Sequence, residues 1–206
     1  MSDTIGNNMG AKTGTTPQVR AVTSLPNILT YGRIVAVPAM AACFFFPGDE
    51  SRWIALTIFI IACITDFFDG YLARIWNQQS DLGRMLDPIA DKLLISVALL
   101  MLVFDGTISG VHVWAAIIIL CREVLVSGLR EFLAELQVSV PVTYMAKWKT
   151  TIQMVALGFL IAGTAGDKVF GYVSEIGLTG LWVAASLTLY TGYDYFRASI
   201  GHIMDD

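Results

Sequence analysis

The sequence predicts an all-α, polytopic membrane protein with six transmembrane helices. Of its 206 residues 55% are apolar and only 15% charged, with mean hydropathy +0.65, too few charges to coat a water-soluble globule of this size. The apolar residues gather into six stretches, each close to the roughly 20 residues that a hydrocarbon core of about 30 Å requires. Short polar breaks rich in turn residues separate the stretches.

In chain order the spans are expected at 27–46, 53–75, 85–104, 111–135, 149–165 and 176–196. Gly48-Asp49-Glu50, Asp105-Gly106 with Gly110, and Ala165-Gly166-Asp167 turn the chain on one side of the membrane. Residues 77–81, 137–144 and both termini fall on the other. Of the 13 Lys and Arg residues only Arg52 and Lys168 belong to the first side, so the positive-inside rule makes both termini cytoplasmic. Trp53, Trp76, Trp114 and Trp148 stand at expected helix ends, the pattern of an interfacial aromatic belt. Residues 1–24 are rich in Gly, Thr, Asn and Ser and have no apolar core, so they are expected to be a disordered cytoplasmic tail. Residues 25–200 form the helical domain and 201–206 a short second tail.

The net charge of −4 excludes a nucleic-acid partner read through a basic surface. Cys43, Cys63 and Cys121 lie in apolar segments without metal-type spacing, and their odd number argues for buried free thiols. His112 and His202 stand alone, which gives a zinc site no support.

Against this apolar background Asp66, Asp69, Asp87 and Asp91 are costly. A charged group within a span costs about 2.5 to 3.5 kcal/mol on insertion scales, and such groups mark sites and ion pathways. At 100° per residue Asp66, Asp69, Gly70 and Ala73 share a helical face, where the small residues leave room for a ligand. Asp87 and Asp91 lie one turn apart on the next span, and the short connection predicts that the two helices are antiparallel neighbours. Four acids then face one another. Carboxylates this close do not all stay ionised without cations, and all-oxygen ligation suits two Mg²⁺ or Mn²⁺ ions. Such a pair of ions clamps a diphosphate, with Arg74 and Ser80 as further donors. Arg33, Lys92, Arg122, Glu123, Arg130, Lys147 and Lys149 occupy the same portions of the helices and adjoining loops. All are expected to converge on one cavity open to the cytoplasm. Pro88 is either a first-turn proline after an Asp87 N-cap or a kink in a helix that starts near Asp81.

Residues 66–91 read DFFDGYLARIWNQQSDLGRMLDPIAD and match DxxDGxxAR-x8-GxxxDxxxD at all eight fixed positions. This resembles the signature of the CDP-alcohol phosphatidyltransferases. The family's six-span architecture, with the motif bridging the second and third spans, extends the resemblance over nearly everything after the tail. Leu25-Pro-Asn27-Ile-Leu-Thr30-x-x-Arg33, Arg122-Glu-Val-Leu-Val-Ser-Gly-Leu-Arg130-Glu and Lys147-x-Lys149-Thr150-x-x-Gln153 are similar to its phosphatidylglycerophosphate synthase branch.

The resemblance implies CDP-diacylglycerol and sn-glycerol 3-phosphate as substrates and phosphatidylglycerophosphate and CMP as products. It implies one metal on Asp66, Asp69 and Asp87, a second on Asp66, Asp87 and Asp91, and Asp91 as proton acceptor. Asn27, Thr30, Gly70, Arg74, Ser80 and Gly83 are the implied contacts to the nucleotide diphosphate. The acceptor's own phosphate needs cations apart from the metals, for which Arg33, Arg122, Arg130, Lys147 and Lys149 are the candidates. Lys147 and Lys149 are alternatively contacts for anionic membrane lipids. A homodimer in a bacterial inner membrane, with the site facing the cytoplasm, completes the expectation. The alternatives are another acceptor, phosphatidylglycerol or an inositol phosphate, and, from a different class, a Mg²⁺ transporter.

Overall fold

The computed structural model describes residues 25–76, 81–135 and 144–204, all but a few turn residues of them helical. Among the described residues six α-helices follow one another: α1 (Leu25–Cys43), α2 (Asp49–Trp76), α3 (Asp81–Phe104), α4 (Val113–Glu135, after a 3-10 turn Gly110–His112), α5 (Tyr144–Phe170) and α6 (Val173–Met204). Each expected span has its helix. The expected N-terminal tail and the turns near 77–80 and 136–143 lie outside the described residues, and α6 runs on to Met204. Among the described residues, the segments long and apolar enough to cross a membrane are Gly110–Leu133, Trp148–Phe170 and Val173–Arg197. This is a membrane protein. Its exterior agrees, because Val35, Phe45, Val124, Leu125 and Val155 are all exposed, as suits side chains surrounded by lipid.

The helices form a closed succession in which α1 packs on α2 and α3, α2 on α5, α5 on α6, and α6 on α4. Among the described residues α1 is the principal partner of α2 and also lines α3. The ends of α2 and α3 nearest their connection, on which their expected pairing rests, fall largely outside the residues whose side chains are described. The tightest seam is α5 with α6, where a β-carbon on Gly177 would stand 2.8 Å from Leu160 and one on Gly180 would stand 2.9 Å from Ala156. Without a hydrophobic drive between helices in lipid, such small residues allow the close approach that dispersion needs.

Phe59, Met40, Leu94, Leu99, Leu102, Ile119, Leu157 and Leu160 fill the interior. At the end carrying Asp49 and Asp105, polar side chains tie the helices together. Asp49 and Glu50 sit favourably in the first turn of α2, and Lys168 reaches Asp49 at 2.6 Å. The expected turn at Ala165-Gly166-Asp167 is absent, and α5 continues to Phe170 before Gly171 turns the chain with φ 82°. The break falls earlier, at Gly163, whose φ of 45° and ψ of −130° suit glycine. Arg52 donates to the Ile161 carbonyl there at 3.4 Å, while also binding Asp105 and Thr107 and lying over the Phe44 ring. Asp167 accepts from the Ser174 backbone N–H and hydroxyl, which fixes the start of α6.

α3 starts at Asp81 and carries Pro88 within it, so Pro88 is not a first-turn residue. All three cysteines are free, with Cys43 and Cys63 half-buried and Cys121 exposed on the outside of α4 rather than buried. His112 accepts a hydrogen bond from the Trp182 indole at 3.0 Å, a structural role.

Candidate active site

Along every helix the inward stripe is apolar in one half and changes to polar residues at the same level. On α1 Met40 and Val37 give way to Arg33 and Thr30, all buried and spaced three or four residues apart. On α2 the stripe Ala55, Phe59, Ala62 leads to Asp66, and on α3 Leu102, Ala98, Leu94 leads to Asp91. Ile119 on α4 is followed by Arg122 and Glu123, Leu160 and Ala156 on α5 by Gln153 and Lys149, and Leu181 and Ala184 on α6 by Thr188 and Thr191. The helical period therefore points one polar end of the bundle inward.

Within this level the Arg33 guanidinium lies 2.5 Å from the Asp66 carboxylate, with the arginine side chain wholly enclosed and Asp66 39% exposed. Asp91, half-buried on α3, feels the charges of Asp66, Glu123, Arg33 and Lys92. Lys92 donates to the Ser127 hydroxyl on α4. Glu123 gathers two of the basic residues, because Lys149 donates to it and Arg122 approaches it at 3.3 Å. Arg122 also donates to Thr191 at 3.2 Å, and that hydroxyl donates to the Leu187 carbonyl at 2.9 Å. Lys149 in turn feels Glu123, Arg122 and Asp91. Arg130 is exposed, with its guanidinium 6.0 Å from the Tyr195 ring centroid.

The structure thus brings together Thr30, Arg33, Asp66, Asp91, Arg122 and Lys149 at one level of the bundle, with Arg130 further out on α4. Of the expected acceptor-phosphate residues, Arg33 stands with the carboxylates, whereas Arg122 and Lys149 meet at Glu123. Asn27, Asp69, Gly70, Arg74, Ser80, Gly83, Asp87 and Lys147 lie outside the residues whose side chains are described. Sequence reasoning missed the part played by Glu123 and left Gln153, Thr188 and Thr191 without a role. Their signal is visible in retrospect: Gln153 stands one turn from Lys149, and the two threonines stand three residues apart in an apolar helix. Both amide atoms of Gln153, the Thr188 hydroxyl and Arg122 Nε are enclosed without a hydrogen-bond partner among the described residues.

Among the described residues no three His, Cys, Asp or Glu side chains gather closely enough to enclose an ion. Two of the four expected ligands, Asp69 and Asp87, are outside that set. The donor chemistry of Asp66 and Asp91 fits Mg²⁺ or Mn²⁺: these are hard carboxylate oxygens on two helices, and their mutual repulsion is relieved by divalent cations.

A sequence profile described as CDP-alcohol phosphatidyltransferase matches residues 23–190. A protein of Rickettsia bellii named CDP-diacylglycerol--glycerol-3-phosphate 3-phosphatidyltransferase is 46% identical over 175 residues, which cover 85% of this chain and 94% of the relative. Proteins of the same name from Cereibacter sphaeroides (41% over 220 residues, 89% and 98% covered) and Haemophilus influenzae (36% over 185 residues, 89% and 97% covered) extend the likeness. With that profile covering most of the chain and these relatives matched over nearly their whole length, the chain belongs to the CDP-alcohol phosphatidyltransferase family.

Proposed function

We propose that this enzyme transfers the phosphatidyl group of CDP-diacylglycerol to sn-glycerol 3-phosphate, forming phosphatidylglycerophosphate and CMP in phospholipid synthesis. The observation that carries the reading is the common level at which the inward stripes turn polar, placing carboxylates of α2 and α3 beside basic residues of α4 and α5. The relatives bear the name of this reaction and are matched over nearly their whole length. All six helices span the bilayer, both termini are cytoplasmic, and the polar end faces the cytoplasm of a bacterial inner membrane, where the enzyme works as a homodimer. The charge asymmetry of the loops and the bacterial sources of the relatives support the orientation and the membrane, and the homodimer rests on the family resemblance.

Asp66, Asp69, Asp87 and Asp91 would hold two Mg²⁺ or Mn²⁺ ions, which when bound neutralise the diphosphate and draw charge from the attacked phosphorus. Arg33 holds the Asp66 carboxylate in place. Asn27, Thr30, Gly70, Arg74, Ser80 and Gly83 seat the nucleotide and its phosphates. A carboxylate oxygen of Asp91 takes the proton of the primary hydroxyl of glycerol 3-phosphate as that oxygen bonds to the lipid-bearing phosphorus. The bond from that phosphorus to the CMP oxygen breaks, and CMP leaves. Arg122, Arg130, Lys147 and Lys149 grip the acceptor's phosphate, with Glu123 setting the positions of Arg122 and Lys149.

The test is an acceptor panel with purified protein, CDP-diacylglycerol and Mg²⁺. CMP release with glycerol 3-phosphate, and little with phosphatidylglycerol or inositol phosphate, is expected. Release chiefly with phosphatidylglycerol would make the enzyme a cardiolipin synthase. Absence of CMP release with every acceptor would overturn the transferase reading and leave the transporter as the alternative.

A further inference from the structure

Gln153 on α5 is 1% exposed, and neither its amide nitrogen nor its amide oxygen has a hydrogen-bond partner among the described residues. Enclosing a polar group without a hydrogen bond costs stability, and such a group in a folded protein calls for a reason. Its surroundings supply one. Lys149, one turn away on the same face, donates to Glu123 and feels the charge of Asp91. The seam that sets Gly177 against Leu160 and Gly180 against Ala156 continues along α5 and α6, so its register carries Ala184 to Gln153 and Thr188 to Lys149. The Thr188 hydroxyl is enclosed and unpartnered as well. Arg122 of α4 lies against α6 one turn further on, where a β-carbon on Gly192 would stand 3.2 Å from it. Beyond Gln153 the stripe of α5 turns apolar at Ala156 and Leu157, and α3, which carries Asp91, also touches α5. Gln153 therefore belongs to the floor of the polar level, beneath the cations of α4 and α5.

We infer that Gln153 recognises the secondary hydroxyl of sn-glycerol 3-phosphate, an inference that deepens the function proposed above and rests on it. In that function the acceptor's phosphate lies with Arg122 and Lys149 and its primary hydroxyl lies at Asp91. The polar group that is left over is the hydroxyl on the middle carbon. An amide answers it in both senses: the hydroxyl donates to Oε1, and Nε2 donates to an oxygen of the same ligand. Access comes through Lys149, whose long side chain uncovers the amide as its ammonium turns from Glu123 to the acceptor's phosphate. A site built to bond a hydroxyl rejects the analogue that lacks it, because its own polar groups then stay unpaired.

The test compares glycerol 3-phosphate with 3-hydroxypropyl phosphate, which keeps the phosphate and the primary hydroxyl and lacks the secondary one. With CDP-diacylglycerol and Mg²⁺, wild-type kcat/KM should favour glycerol 3-phosphate about a hundred-fold. In Gln153→Leu the preference should shrink to within about five-fold, the loss falling on glycerol 3-phosphate. Gln153→Met, closer in shape to glutamine, should show the same collapse and keeps the test available where leucine upsets the fold. A residue that only supports the fold lowers both rates together, so a preference unchanged in either folded variant overturns the inference, as does a wild-type enzyme that accepts both compounds equally. Thermal shifts with CMP and Mg²⁺ present read binding without turnover: glycerol 3-phosphate should raise the wild-type Tm more than the analogue does, and the two should act alike on the variants. A wild-type protein that releases no CMP with glycerol 3-phosphate defeats the proposed reaction and this inference with it, whereas release with an unchanged preference in the variants defeats the inference alone.

Discussion

Arg33 and Asp66 form an ion pair at 2.5 Å in which the arginine is wholly enclosed and the carboxylate is partly open. The guanidinium arrives there because Thr30, Arg33, Val37 and Met40 make up the inward stripe of α1, and α1 lies against both α2 and α3. A fixed cation on the inner side of Asp66 orients its oxygens and leaves the outer side to solvent and ligand.

Arg33→Met removes that partner and leaves the carboxylate uncompensated. Breaking such a pair costs about 3 kcal/mol, the lower end of the range because Asp66 is partly exposed. The variant should melt earlier in detergent, and Mg²⁺ should raise its Tm more than it raises the wild-type Tm, since the cation replaces lost positive charge. Equal Mg²⁺ shifts in the two proteins would detach Asp66 from metal binding.

Glu123 anchors Lys149 and Arg122 together. In Glu123→Gln the two cations lose their common anion, and KM for glycerol 3-phosphate should rise about five-fold with kcat within about two-fold, the pattern of lost ground-state binding. A fall in kcat at unchanged KM would place Glu123 with the reacting atoms instead.

Gln153 is enclosed, with neither amide atom bonded among the described residues. Leucine in its place removes an uncompensated polar group, so Gln153→Leu should hold stability or raise it by about 1 kcal/mol. A loss of stability by that amount would show that the amide serves the fold.

How far the sequence was legible follows from these residues. Helix positions were readable because apolar length and turn residues are local signals, and the carboxylate motif because its spacing is rigid. The pairing of α2 with α1 was not, since a short connection limits distance but does not decide which faces meet. The break at Gly163 was missed for a related reason: the Arg52 side chain that binds the Ile161 carbonyl comes from 109 positions away. Glu123 is expected among the groups that converge on the cavity, but only the arrival of Lys149 from α5 shows it as the meeting point of two cations.

At the opposite end, Arg52 joins α2, the end of α3 and the broken α5. Arg52→Ala should destabilise the protein by about 3 kcal/mol, as expected for an ion pair largely withdrawn from solvent, and leave KM for both substrates unchanged below the melting range. A changed KM with intact stability would mean that this end communicates with the reaction centre.

The central claim is that carboxylates of α2 and α3 form the reaction centre, with Asp91 as the proton acceptor. CMP release and CMP binding measured on Asp91→Asn at saturating Mg²⁺ and glycerol 3-phosphate test it most directly. Turnover should fall about a thousand-fold, within the usual worth of a general base, while CMP binding stays within about ten-fold of wild type. Turnover near the wild-type rate in that variant would contradict the account.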